Sequence, residues 1–292
     1  MGIDDMDPGV KAVLQEAEAI LGPGTFSAEE IFFSTGRRTT RKRIRSARAI
    51  LPILKFALEP GEKVGFISAG GYTYHPWEQF FGAGAWAAYV NSTTAVLTNR
   101  RLLAFNVTYR NRRPKDIKNA VPSNEIASVR QWMGALTFRL QDGRKLRIVG
   151  MALGDSRELS SRLNRELAAQ ATHEAGARAL SQSLQHLCPS CCKPVDSIEA
   201  LRCSFCPTEF RSGRTAALRS LLLPGLGDIY LKHTAAGVLE LFGSVIVWFM
   251  VLGALSSGGT GGIILAAVLL GMVNGTDYFV TKAMAKKGII AK

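Results

Sequence analysis

The chain has 292 residues, of which 47% are hydrophobic and 20% charged, with 36 Lys and Arg against 23 Asp and Glu for a net charge of +13. That balance excludes a wholly disordered or collagen-like chain. The charge is segregated: Leu231 to Val280 holds only Lys232, Glu240 and Asp277, so a basic soluble part is expected to precede a membrane part. Asp4, Asp5, Asp7, Glu16, Glu18, Glu29 and Glu30 interrupt the start of the chain, so no secretory signal is expected there and the soluble part is expected in the cytosol.

Val10, Val13, Leu14, Ala17, Ile20 and Leu21 repeat at helical spacing, with Asp7 as N-cap, Pro8 at the first turn and Gly22-Pro23-Gly24 as the stop. Ser27 and Glu30 have the spacing of a capping box opening a second short helix. The run Arg37, Arg38, Arg41, Lys42, Arg43, Arg45, Arg48 is threaded by Ile44, Ala47, Leu51, Leu54 and Leu58, which predicts a basic amphipathic helix with Pro52 as a candidate kink.

From Glu62 the apolar period changes to two. Lys63 to Ser68, Thr93 to Thr98, Arg101 to Val107, Lys115 to Val121, Glu125 to Trp132, Ala135 to Leu140 and Lys145 to Val149 are predicted strands, with a hairpin turn at Gln141 to Arg144. A helix capped by Asp155 is expected to follow through Leu159, Leu163 and Leu167, continuing to about Leu187. The motifs Leu58-Glu59-Pro60-Gly61-Glu62-Lys63-Val64, Ala95 to Leu103 and Asn124 to Val129 resemble the bacterial pleckstrin-homology-like domains related to GRAM domains. The resemblance covers roughly residues 58–170 and implies a small barrel capped by a helix. It is interrupted by an aromatic-rich segment from Tyr72 to Tyr89.

All five cysteines lie between Cys188 and Cys206. Cys188-Pro-Ser-Cys191 and Cys203-Ser-Phe-Cys206 are two knuckles eleven residues apart. Four thiolates so spaced suit a structural zinc ion that replaces a core too small to form by itself. The segment resembles a zinc ribbon, with Cys192 as a spare thiol. No His or carboxylate is placed to leave an open catalytic position.

Ala235 to Leu255 and Thr260 to Val280 are apolar runs of 21 residues each, and about 20 helical residues cross the hydrocarbon core. Lys and Arg flank both outer ends, which predicts both termini in the cytosol. Leu223-Pro224-Gly225-Leu226-Gly227-Asp228-Ile229-Tyr230, followed by Gly237-Val238-Leu239 and Asp277, resembles the two-helix TM2 domain and implies a membrane hairpin. Gly225, Gly227, Tyr230, Gly271 and Gly275 are candidates for hairpin packing, the last two as a Gly-x-x-x-Gly pair open to intrachain or intermolecular use. Glu240 and Asp277 are expected at similar depth near one face, as snorkelling groups or a polar site.

These readings combine into a multidomain α+β protein with membrane helices. Residues 1–57 form N-terminal helices, 58–186 the pleckstrin-homology-like barrel and its helix, 187–212 the zinc ribbon, and 213–292 the transmembrane hairpin. No nucleotide-binding loop, metalloprotease motif or nucleophile elbow is present. The expected function is that of a non-enzymatic membrane-anchored adaptor or sensor in the cytoplasmic membrane, binding a protein partner or anionic lipid. The candidate contacts are Arg41, Lys42, Arg43, Arg45, Arg100, Arg101, Arg112 and Arg113. The competing expectations are a hairpin homo-oligomer that forms a pore or senses membrane state, and membrane-tethered nucleic-acid binding, the latter without an evident base-reading element.

Overall fold

The computed structural model describes residues 7–32, 37–73, 91–171 and 183–292. The aromatic segment between Tyr72 and Tyr89 lies outside the described residues except for Tyr72 and Thr73. The chain divides into two compact units, Met1–Pro194 and Val195–Lys292.

The first unit opens with helices α1 (Pro8–Leu21), α2 (Ala28–Phe32) and α3 (Arg37–Ala57). Asp7 caps α1 as its spacing predicts, its Oδ1 accepting the Gly9 N–H at 2.8 Å. Strands β1 (Val64–Ile67), β2 (Gly71–Thr73), β3 (Ser92–Thr98), β4 (Arg101–Val107), β5 (Pro114–Pro122), β6 (Ile126–Trp132), β7 (Ala135–Leu140) and β8 (Lys145–Val149) follow, then helix α4 (Leu153–Ala171) and the short β9 (Gln185–Leu187) and β10 (Pro194–Val195).

The sheet runs in the order β10-β9-β5-β4-β3-β2-β8-β7-β6, with β1 pairing antiparallel to β3. Its ends do not pair with one another among the described strands, so the sheet is open where a closed barrel was expected. The helix expected to reach Leu187 is corrected as well: Gln185–Leu187 is a strand, Asn119 and Ala120 of β5 lying opposite His186 and Gln185.

Every residue of β3 and β4 is buried, because both faces of the central sheet are covered. Val96, Leu103, Phe105 and Val107 pack with Val13, Ala47, Ile50, Leu51 and Leu54 of the helices. Ala95, Leu97 and Leu102 on the opposite face pack with Leu136, Phe138, Ile148 and with Leu159 and Leu163 of α4. Alternation along a strand therefore sorts residues between two cores, and the N-terminal helices share a core with the sheet.

In the second unit, α5 (Gly213–Leu222) and the short α6 (Leu226–Tyr230) precede two long helices, α7 (Thr234–Ser256) and α8 (Gly259–Ala285). Both long helices are long and apolar enough to cross a membrane, and only 11% of the most apolar window of each is buried. Val251, Ala254 and Ala266 form the small core between them. Gly258 and Gly259, both at positive φ (72° and 77°), make the reversal, a conformation that side chains with a Cβ resist. The tail returns to this unit's start, the Arg211 N–H donating to the Ile290 carbonyl at 2.8 Å.

One buried ion pair ties α3 to α4. The Arg43 guanidinium donates to Asp155 Oδ1 at 2.9 Å and to Glu158 Oε2 at 2.6 Å, and both Arg43 and Asp155 side chains are fully buried. Asp155 is thus the third residue of α4 and an internal anchor rather than its N-cap, its second oxygen accepting the Ala69 N–H at 2.5 Å. Removing one partner of such a pair leaves a buried charge unpaired, at a cost of about 3–5 kcal/mol. Arg43→Met should therefore lower stability by about that amount, whereas Arg41→Met should change it by less than about 0.5 kcal/mol. Chemical unfolding of the full chain in detergent, followed by circular dichroism, measures both, and equal midpoints would refute the assignment.

Candidate metal centre and basic groove

Cys188, Cys191, Cys203 and Cys206 each offer an Sγ atom, and the four Sγ atoms lie within 4.8 Å of one another, a geometry compatible with metal binding. Local turns present them. The Cys188 N–H donates to the Lys193 carbonyl at 2.8 Å, and the Cys203 N–H to the Thr208 carbonyl at 3.0 Å. Within the second knuckle the Phe205 N–H points at Cys203 Sγ at 3.4 Å, a donor that favours thiolate charge. Cys192 stands outside the cluster and is 3% exposed among the apolar side chains of the first unit. Burial pushes its thiol pKa up, which suits an inert packed cysteine.

The expected basic contact residues separate by burial, with Arg112 half-buried between the two extremes. Arg41, Lys42, Arg45, Arg100 and Arg113 are exposed. Arg43 and Arg101 are buried and ion-paired, so they leave the surface set. Lys118 is also buried and donates to the Pro189 carbonyl. Sequence reasoning missed this division because Arg43 sits within a run of otherwise exposed basic residues and its acidic partners lie far along the chain.

Arg101 explains two of the motifs quoted for the pleckstrin-homology resemblance. Its guanidinium donates to Glu62 Oε1 at 3.0 Å, to Glu62 Oε2 at 2.8 Å and to the Ala57 carbonyl at 2.7 Å. Thr98 Oγ1 adds a bond to Glu62 Oε1 at 2.6 Å, and the Glu59 N–H donates to Glu62 Oε2 at 2.8 Å. Burial would raise the Glu62 carboxyl, but these donors outweigh it and hold the pKa below its ordinary value. The Glu-Pro-Gly-Glu turn and the Thr-Asn-Arg-Arg turn are thus halves of one structural lock.

The exposed arginines converge elsewhere. Arg41, Arg45 and Arg48 of α3 and Arg113 of the β4–β5 loop line a groove of about 450 Å³, completed by Ile44, Ala49 and Asn111. No acidic side chain is among these lining residues. Arg48 also meets Glu16 at 3.3 Å, a pair nearly half exposed on both sides, which holds it weakly. Arg112 sits beside the groove at φ 56°, its Nη1 buried without a hydrogen-bond partner. Burial, with Arg45 close by, pushes the Arg112 pKa down. Cations are thus held near one another here, with Glu16 beside Arg48 and no carboxylate among the lining residues.

In the second unit, Gly225 adopts a left-handed φ of 86°, and a Cβ there would overlap the Gly237 carbonyl oxygen. A Cβ on Gly227 would overlap Ser220 Oγ and the Ala216 carbonyl. The Pro-Gly-Leu-Gly motif therefore marks where α6 threads between α5 and α7. The Tyr230 ring lies under Arg219 at 4.2 Å and Arg211 at 5.1 Å. Asp277 Oδ2 accepts the Gly225 N–H at 3.0 Å, and the carboxyl of Glu240 lies close to those of Asp228 and Asp277. Asp228, which follows Gly227 in the motif, belongs to this cluster; an acidic residue in the turn just before an apolar run was the available signal. Gly271 and Gly275 have open space where a Cβ would stand, so they do not serve the packing of the hairpin on itself.

No family model matches this chain, and no curated protein matches it. The cysteine geometry makes a direct prediction. Replacing Cys203 and Cys206 by Ser should abolish metal retention by the purified full chain, while Cys192→Ser should leave it unchanged. Elemental analysis reads both, and equal metal content in all three proteins would refute the four-cysteine site.

Proposed function

We propose that the chain is a non-enzymatic, membrane-anchored adaptor or sensor whose first unit engages an anionic lipid headgroup through the arginine groove. The observation that carries this reading is the convergence of Arg41, Arg45, Arg48 and Arg113 on one groove without a lining carboxylate. Guanidinium forks match phosphate oxygens in pairs. Near an anionic leaflet each close Arg contributes about 1 kcal/mol. The second unit's apolar helices α7 and α8 serve as the anchor, inserted in the cytoplasmic membrane with both termini in the cytosol, in agreement with Arg211, Arg214, Lys286 and Lys287 beyond their outer ends.

The four cysteines suit Zn²⁺, whose preference for four-coordinate thiolate sites needs no further ligand and leaves no position for a reacting water. Held there, the metal would shape the chain from Cys188 to Cys206 and supply folding free energy to a segment with few apolar residues of its own. The pleckstrin-homology-like and TM2-like resemblances agree with a soluble binding module and a hairpin anchor. A second reading, in which the hairpin self-associates, draws on the uncovered Gly271 and Gly275.

The test uses the full chain in nanodiscs of neutral lipid or of neutral lipid mixed with phosphatidylglycerol, with hydrogen–deuterium exchange as the readout. Anionic lipid should protect the backbone of Arg41 to Ala49, and raising the salt to about 0.5 M should remove that protection. Changing Arg41, Arg45 and Arg113 together to Ser should remove about 3 kcal/mol, roughly a hundredfold in affinity. Protection by an added oligonucleotide in neutral discs, with none from anionic lipid, would replace this reading with nucleic-acid binding.

A further inference from the structure

At the root of the hairpin three carboxyl groups meet where few donors exist. Asp228 is 1% exposed and Asp277 8%, and the Glu240 side chain is partly buried between them. Asp277 takes the Gly225 N–H at 3.0 Å, and Thr281 Oγ1 reaches Asp228 Oδ1 at 3.4 Å while bonded to Ser220 Oγ at 2.7 Å. That leaves Asp228 Oδ2 and Glu240 Oε2 buried with no hydrogen-bond donor in reach. Yet the Glu240 carboxyl lies close enough to both aspartates to interact with them. Ionised carboxylates only accept hydrogen bonds. Two of them held in contact away from water repel strongly, and one proton turns the repulsion into a bond.

We infer that Asp228, Glu240 and Asp277 form a proton-binding site that clamps the ends of α6, α7 and α8 together while at least one proton is shared among them. A metal ion fits less well. Among the described residues the cysteine cluster is the set of metal-capable side chains whose donor atoms converge within 4.8 Å, and the carboxyls do not gather around a common point as a hard cation requires. Pairwise contact through Glu240 is instead the arrangement of a shared proton.

The surrounding elements carry other charges. Arg219 of α5 lies over Tyr230, Lys282 of α8 over Tyr278, and Lys232 and His233 form the α6–α7 turn, the His233 N–H donating to the Asp228 carbonyl at 2.8 Å. The interactions that set the three acids are with one another and with Ser220, Gly225 and Thr281. Asp228 lies outside the two long helices, and burial together with the Asp277 charge raises its pKa from 3.8 to about 7. Because the folded-state value is the higher one, stability falls as pH rises from 3.8 towards 7 and levels off above it. The clamp is closed in acid, still partly protonated at neutrality, and loosens as the remaining proton leaves at higher pH, giving the hairpin a proton-dependent joint.

Difference infrared spectroscopy of the full chain in neutral-lipid nanodiscs, from about pH 5 to about pH 9, reads the protonated carboxyl C=O stretch directly. The expected result is a buried-carboxyl band present at neutral pH and lost on alkalinisation, and absent from Glu240→Gln. Glu240→Gln is isosteric and keeps a donor between the aspartates, so it should fold; Asp228→Asn gives an independent second variant with the same expectation. No band at neutral pH, or a band that persists in both variants, would overturn the proposal. A band abolished at neutral pH by millimolar calcium or sodium would also overturn it, in favour of a metal cation.

Discussion

The buried Arg43–Asp155 pair determines which way the basic helix faces. Side chains on a helix advance by about 100° per residue, so a guanidinium drawn inward at position 43 sends positions 41, 45 and 48 to the other side. Arg43, Ser46, Ala47, Ile50 and Leu54 are buried, and Arg41, Arg45 and Arg48 are exposed. The groove is the consequence. The same pair holds α4 in place, because Asp155 and Glu158 are on that helix while Arg162, one turn further, donates to Glu158 at 2.7 Å and to the Gly65 carbonyl at 2.8 Å. A strong charge interaction is used where it sets register, and the remaining charge stays on the surface.

The second unit applies a related logic with the opposite sign. Its helices are almost uniformly apolar, so hydrophobic burial alone does little to specify how they meet, and the choice falls to small residues and polar contacts at one end. Gly225, Gly227 and Gly237 allow backbone to approach backbone, and Asp277 accepts the Gly225 N–H that would otherwise go unpaired. Carboxyls placed there keep the joint specific, and they also make it sensitive to their own protonation.

Much of this was legible in the sequence, for reasons that are local. Asp7 with Pro8, the seven longer strands and the first apolar run rest on period, caps and turns and stand where they were expected within a residue or two, while the second apolar helix runs on from Val280 to Ala285. The Cys-x-x-Cys pairs were legible because thiolate chemistry dictates spacing. What the sequence hid were long-range choices. Arg43 and Arg45 have the same side chain two positions apart, and only Asp155, more than a hundred residues away, decides that one is buried. The strand at Gln185–Leu187 was read as helix because three residues carry no period; its pairing with β5 comes from the far side of the chain. Closure of the barrel could not be judged either, since β9 and β10 extend one edge of the sheet beyond β5.

We propose that the arginine groove meets anionic headgroups while α7 and α8 meet lipid tails. Photo-crosslinking tests it most directly, with headgroup-labelled phosphatidylglycerol and phosphatidylcholine analogues compared on the full chain and adducts mapped by mass spectrometry. Phosphatidylglycerol adducts are expected at Arg41 to Ala49 and at Asn111 to Arg113, with few from phosphatidylcholine. Adducts from both lipids confined to residues flanking α7 and α8, with none at the groove, would contradict it.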